Sequence, residues 1–317
     1  MANVLKSLIG IHEELDRAVK DLAFFGNRYQ IIHPAANGDV SQLISKKTSA
    51  VLIKKFQGKA SRWFKMETIQ DLAEIRNDGR TGYRSEGITN SKFYELVKPL
   101  EGSVLLITCT GSQIPAIYEH LKDKEDGRLL NLVEVGAGGK TIRVLYGNRE
   151  FGTIPSIELH VHMLAGSVSI KEKFESAALV HAHPYHLNLL GMHKKIKGDF
   201  NAFNAVVYTQ IEGLNRNAPD LIGVIPYLPS GSSVLLNANI DPLLKHHMVL
   251  WMNHGFTARN FRIERAYALI AYAEEAAKTS LDILRYGGVG LPLKDVQDIL
   301  SSNMIDAYRR LKLRGSS

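Results

Sequence analysis

Short apolar runs recur along this chain, and each ends at or near a glycine, a proline or a histidine. Ser103–Thr108, Leu132–Val135, Thr141–Tyr146, Ala178–His183, Gly223–Tyr227 and Met248–Met252 are the plainest. Runs of this length and composition read as buried strands. None approaches the ~18 apolar residues that a membrane-spanning helix needs. The chain must therefore bury its strands against its own helices. Two of the runs flank Gly136-Ala-Gly-Gly-Lys140, which is a hairpin signal. Val51-Leu-Ile53 and Val206-Val-Tyr208 read as further short strands.

Between the runs the apolar period changes to that of a helix. Leu5, Leu8, Ile9, Leu15, Val19 and Leu22 predict a first helix over about 3–25. A long helix is expected from about Glu264 to Tyr286, ending at Gly287-Gly288, and a last amphipathic one over about 293–313. A helix should also follow Pro184. The polar, Gly-rich stretch Asn77–Asn90 reads as a long surface loop inside a region of weaker signal, about 40–100. The expected architecture is α/β: one domain over 1–317, with a largely antiparallel central sheet covered by helices on both faces.

Charge and cysteine content narrow the chemistry. Lys and Arg exceed Asp and Glu by 39 to 32, but the basic residues are scattered and no aromatic-basic stripe or zinc-finger spacing appears. Nucleic-acid binding is not expected, nor is a membrane partner. The N-terminal stretch lacks a continuous apolar core and a cleavage site, so it reads as an amphipathic helix and a cytoplasmic location is expected. Cys109 is the sole cysteine, which excludes an intramolecular disulfide and a zinc-thiolate cluster. A metal would have to be held by imidazoles and carboxylates, and the chain has 12 histidines.

Gly136-Ala-Gly-Gly-Lys-Thr141 ends like a phosphate-binding P-loop. The first glycine of that motif would fall on Glu134, and the following residues read as a strand where the motif needs a helix. Turn chemistry accounts for these glycines.

The histidines carry the strongest local signal. In Val180-His181-Ala-His183-Pro184 an apolar strand ends in two imidazoles on one face, because alternate strand residues point the same way. In Val249-Leu-Trp-Met-Asn-His254-Gly255 a second apolar run ends in a third. Three imidazoles at strand ends make a metal-ligand set. His246 and His247 precede their strand and read as solvated surface. In Pro155-Ser156-Ile157-Glu158, Ser156 would cap a helix and Glu158 would sit in its first turn, with His162 one turn on. By itself such a glutamate is an ordinary complement to the helix dipole. Beside a metal it could work as a general base.

The order Glu158, His181-x-His183, His254-Gly255 resembles the class II aldolase/adducin family, and within it the rhamnulose-1-phosphate aldolase branch. Thr108-Cys-Thr-Gly-Ser112, Asn131–Val135 with its hairpin, Gly223–Tyr227 and the helix around Leu269–Ala277 complete the resemblance, which covers roughly 105–288. It implies a class II aldolase-like fold and a zinc ion held by His181, His183 and His254. It implies proton transfer by Glu158, and a homotetramer whose neighbouring subunit offers a second acidic residue within one position of Glu212. Some relatives carry an additional histidine where His186 stands. Family sites take a phosphate on small polar residues, and the matching positions here are Asn37, Gly38, Thr110, Gly111, Ser112 and Ser156. The chain departs at Asp39, where an asparagine is expected, at Ile157, where a serine is expected, and at Gln113, where a glycine is expected. The activity implied is retro-aldol cleavage of a ketose 1-phosphate or related ketose. A sugar-phosphate 4-epimerase, decarboxylase or dehydratase would keep the same site. A noncatalytic adducin-like module would be expected to lose the zinc ligands.

Overall fold

The computed structural model describes residues 10–28, 38–75, 86–112, 129–147, 153–196, 199–292, 294–299 and 301. Its strands are β1 (Asp39–Ile44), β2 (Phe64–Lys65), β3 (Val104–Thr108), β4 (Leu130–Val135), β5 (Thr141–Tyr146), β6 (Ala177–Ala182), β7 (Ile222–Ile225), β8 (Met248–Trp251) and β9 (Gly255–Asn260). They form one sheet in the order β2-β5-β4-β3-β1-β6-β9-β8-β7. Every neighbouring pair is antiparallel except β7 and β8. The fold is the α/β arrangement expected from the sequence, a largely antiparallel sheet covered by helices.

The helices are α1 (Glu13–Arg28), α2 (Lys46–Phe56), α3 (Ser91–Val97), α4 (Leu159–Lys171), α5 (Tyr185–Met192), α6 (Phe200–Tyr208), α7 (Glu212–Asn217), α8 (Ser233–Lys245) and α9 (Ile263–Tyr286). Two apolar layers lie against the sheet. Val180, Leu250 and Phe256 pack with α9 residues such as Tyr267 and Ile270. Leu179, Val249 and Trp251 pack with Leu159 and Leu164 of α4 and Leu236 of α8. Successive residues of β6 thus alternate between layers, the period-two pattern read from the sequence.

Several elements differ from expectation. Val51-Leu-Ile53 lies in α2, where Thr48, Ser49, Leu52 and Phe56 are buried at helical spacing while Val51 is exposed. A three-residue apolar run is too short to distinguish strand from helix. Val206–Tyr208 closes α6, whose Asp199 side chain accepts the Ala202 N–H at 2.9 Å. The first helix is described from Glu13 on, and residues 1–9 lie outside the described residues. So do 77–85 of the expected surface loop and most of the last expected helix, which is helical at 294–299. The expected hairpin is present as β4 and β5, and Gly138 and Gly139 take left-handed backbone angles between them. β5 follows the Gly-Lys-Thr sequence as a strand, as expected. His246 and His247 are held by Asp220 and are not simply solvated: His246 Nδ1 lies 2.5 Å from its carbonyl oxygen, and His247 Nδ1 2.9 Å from its carboxylate.

α4 is buried along most of its length, so even its polar residues are enclosed. His160 is fully buried, and neither ring nitrogen has a hydrogen-bond partner among the described residues. Burial, followed by the charge of His162, drives its pKa down to about 3. The unfolded chain therefore takes up a proton on His160 below about pH 6.5 that the folded protein refuses until about pH 3. Stability from this group is lost as pH falls through that window. We expect His160→Leu to remove on the order of 2 kcal/mol from the stability drop between about pH 7 and about pH 5. Urea unfolding at the two pH values checks this, and an equal drop in both proteins would contradict it.

Candidate metal centre and proton-transfer site

β6 and the β8–β9 hairpin bring the three predicted imidazoles together. β6 pairs β9 with His181 opposite Thr257 and Ala182 opposite Phe256, which carries His183 to the level of Gly255. A Cβ on Gly255 would stand 2.5 Å from His181 Cε1 and 2.7 Å from His183 Cδ2. Only glycine leaves that space to the rings. Asn253 turns the hairpin with φ 58°, and His254 follows it.

The ligand nitrogens of His181, His183 and His254 all lie within 4.8 Å of one another. The Nε2 atoms of His181 and His183 are 3.0 Å apart. Burial pushes the His181 pKa well below its ordinary value, against the raising charge of Asp39, and lowers His183 as well. Burial and then His183 bring His254 to about 4. Neutral imidazoles present lone pairs, so the donor set suits a divalent ion.

His181 Nδ1 is buried without a hydrogen-bond partner among the described residues. Its orientation is set by packing. The Trp251 ring stacks on it with centroids 4.5 Å apart and planes 27° apart, and lies 5.1 Å from the His254 ring. Trp251 is itself anchored, because its Nε1–H donates to Asn239 Oδ1 at 2.8 Å.

Glu158 precedes α4 and does not sit in its first turn as expected. Its carbonyl oxygen accepts the Val161 N–H at 2.8 Å, and its side chain makes no cap bond. The carboxyl instead approaches the histidines, with Oε2 3.7 Å from His181 Nε2 and Oε1 3.7 Å from His254 Nε2. Burial, and then the charge of Asp39, push its pKa well above the ordinary carboxylate range, while Ser230 pulls it back. Ser230 Oγ also lies 3.1 Å from His254 Nε2.

Ser156 does not cap the helix by bonding forward into it. It accepts the Glu158 N–H at 3.2 Å and donates to Asp39 Oδ2. Asp39 Oδ1 lies 2.7 Å from His162 Nε2, and His162 Nδ1 lies 2.6 Å from Ser41 Oγ. Burial alone would raise the Asp39 pKa, but His162, His181 and Ser156 together hold it well below the ordinary carboxylate range. Thr110 Oγ1 accepts the Ile157 N–H at 3.0 Å, which joins the Thr110–Ser112 loop to the same region. Gly38 is described beside Asp39, whereas Asn37 lies outside the described residues.

Two other sequence candidates go elsewhere. His186 Nδ1 lies 2.7 Å from Glu274, which also accepts the N–H groups of His186 and Leu187 at the start of α5. Glu212 is exposed in the first turn of α7 and pairs with Arg216 at 2.5 Å. Ser41, Ser230 and Asn239 were missed, since isolated serines and an isolated asparagine carry no pattern. The role of Trp251 was hidden by its place in an apolar run.

The profile of the Class II Aldolase and Adducin N-terminal domain family matches residues 99–281. This is more than half of the chain, and the chain belongs to that family. A rhamnulose-1-phosphate aldolase of Listeria monocytogenes is 23% identical over 202 residues, covering 63% of this chain and 70% of its own. One from Klebsiella pneumoniae is 26% identical over 161 residues, covering 50% and 57%. The structure of a sugar-phosphate aldolase from Thermotoga maritima superposes with a TM-score of 0.57 at 21% identity, over 86% of this chain and 97% of that one. An L-fuculose 1-phosphate aldolase superposes with a TM-score of 0.51 at 14% identity, over 90% and 95%. These structural likenesses establish the fold.

If Trp251 orients the ligand His181, Trp251→Leu should weaken divalent-ion binding about 10–100-fold, as loss of a ligand-orienting neighbour does elsewhere. Competition against a chromophoric chelator measures it, and unchanged affinity would contradict the role. Trp63 and Trp251 are the chain's two tryptophans. In a Trp63→Phe background, Co²⁺ should therefore quench the remaining emission.

Proposed function

We propose that this chain is a metal-dependent aldolase that cleaves a ketose, or a ketose 1-phosphate, to a dihydroxyacetone-type fragment and an aldehyde. The observation that carries the reading is the convergence of three pKa-lowered imidazoles on a buried carboxyl with a raised pKa. Family membership supports lyase chemistry.

His181, His183 and His254 would hold the ion, and zinc is the ion we expect. A divalent ion there supplies Lewis acidity for the negative charge that develops on ketose oxygens during carbon–carbon cleavage. Glu158 supplies the proton chemistry. Its carboxyl is enclosed and prefers the protonated form, so it can return a proton to the electron-rich carbon left by cleavage and take one up in the reverse direction. Its Oε2 has no hydrogen-bond partner among the described residues and is free to exchange that proton. Ser156 and the Thr110–Ser112 loop lie beside it and are assigned to substrate binding, together with Gly38 and Asn37. Glu212 fits the reading only as a group offered to a neighbouring subunit in a homotetramer. An adducin-like interaction module would have no use for a buried glutamic acid beside three histidines.

No described helix is long and apolar enough to cross a membrane. The substrate side of the proposal is a small sugar or sugar phosphate.

Zinc-loaded protein should release an aldehyde from a ketose in a coupled dehydrogenase assay. Glu158→Gln should retain its zinc and lose at least about 100-fold in kcat. Unchanged turnover would remove Glu158 from the mechanism. Isomerised or decarboxylated products in place of an aldehyde would move the reaction to an epimerase or decarboxylase.

A further inference from the structure

We infer that Asp39 sets the substrate class of this site: it disfavours a phosphate beside Ser156 and selects a ketose whose terminal oxygen is an unphosphorylated hydroxyl. The inference rests on the aldolase reading above and makes its substrate specific.

Recognition of a phosphate needs converging donors or cations. The segment beside Glu158 has already committed most of its donors within the protein. The Ser156 hydroxyl donates to Asp39. The Ser112 hydroxyl donates to Leu129 O at 3.3 Å. In the Thr110–Ser112 loop, Thr110 N–H donates to Ile154 O at 3.1 Å and Ser112 N–H to Cys109 O at 3.1 Å. The Ile157 and Glu158 N–H groups donate to Thr110 Oγ1 and Ser156 Oγ, at 3.0 and 3.2 Å. Ile157 contributes an apolar side chain where a hydroxyl would have helped.

No lysine or arginine among the described residues pairs with the two carboxyls either; the ion pairs made there by Asp39 and Glu158 are all with histidines. Arg259, the buried arginine of β9, is spent on Glu172 at 2.6 and 2.8 Å.

Asp39 adds a negative charge where an anion would have to sit. One arrangement of protons satisfies its whole network: Ser41 donates to His162 Nδ1, His162 Nε2–H donates to Asp39 Oδ1, and Ser156 donates to Oδ2. This needs no extra proton on the histidine, so the carboxylate keeps its charge. A phosphate bonded to Ser156 would lie about 6 Å from that carboxylate and lose on the order of 100-fold in affinity through repulsion. A hydroxyl suffers no such penalty. It can donate to a carboxylate oxygen, each of which has a second lone pair to offer.

The test uses two matched pairs, L-rhamnulose with its 1-phosphate and L-fuculose with its 1-phosphate, on the zinc-loaded wild type and Asp39→Asn. The wild type should show the higher kcat/KM with the unphosphorylated member of whichever pair it cleaves. Asp39→Asn should shift that ratio toward the 1-phosphate by at least about tenfold. A wild type that prefers the 1-phosphate, or a ratio that Asp39→Asn leaves in place, overturns the inference. Failure of every ketose would count against the aldolase reading, and binding then decides the role of Asp39 separately. Inorganic phosphate titrated calorimetrically should bind the wild type no better than it binds Ser156→Ala. Wild-type binding that Ser156→Ala abolishes overturns the inference, even if Asp39→Asn does not fold.

Discussion

At the end of β6 the rings of His181 and His183 fill the space a Cβ on Gly255 would take, and their ligand nitrogens lie within 4.8 Å of that of His254. The rest of the site depends on this contact. Three protonated imidazoles could not share such a space, because like charges repel and burial penalises each of them. The fold therefore holds them neutral, which is the state that donates lone pairs to a cation. The same sheet that buries Leu179 and Val249 sets the register of these rings, and Trp251 presses one of them into place. Packing and ligand geometry are one construction here.

Two buried carboxyls next to this contact are pushed in opposite directions. Both are enclosed, and burial raises both. His162 and Ser156 give Asp39 enough hydrogen bonding to stay ionised. Glu158 faces pKa-lowered imidazoles and the Asp39 charge, and so it holds a proton more tightly. Environment separates one type of group into a fixed anion and, in the proposed reaction, a proton carrier. Asp39 thereby acts on both the proton affinity of Glu158 and the kind of substrate that can lie beside it.

The fold was legible where apolar period and turn chemistry agreed. β3, the β4–β5 hairpin, β6, β8 and α9 stand where their residues predict. Three-residue runs such as Val51–Ile53 and Val206–Tyr208 failed because the helical burial of Leu52 and Phe203 shows only over longer spans. β1 was not read at all. Its sequence, DVSQLI, alternates weakly, and its place between β3 and β6 comes from pairings distant along the chain. The histidine set was legible because strand ends and alternation locate imidazoles. The network behind it was not, since Asp39, Ser41 and His162 meet only through the packing of α4 on β1.

X-ray absorption at the zinc edge of the reconstituted protein tests the central claim most directly. The account predicts one ion per chain with three imidazole nitrogens at about 2.0–2.1 Å and oxygen ligands completing the shell. His254→Ala should reduce the imidazole number by one. An ion bound without histidine, or a spectrum unchanged by His254→Ala, would contradict the convergence on which the whole account stands.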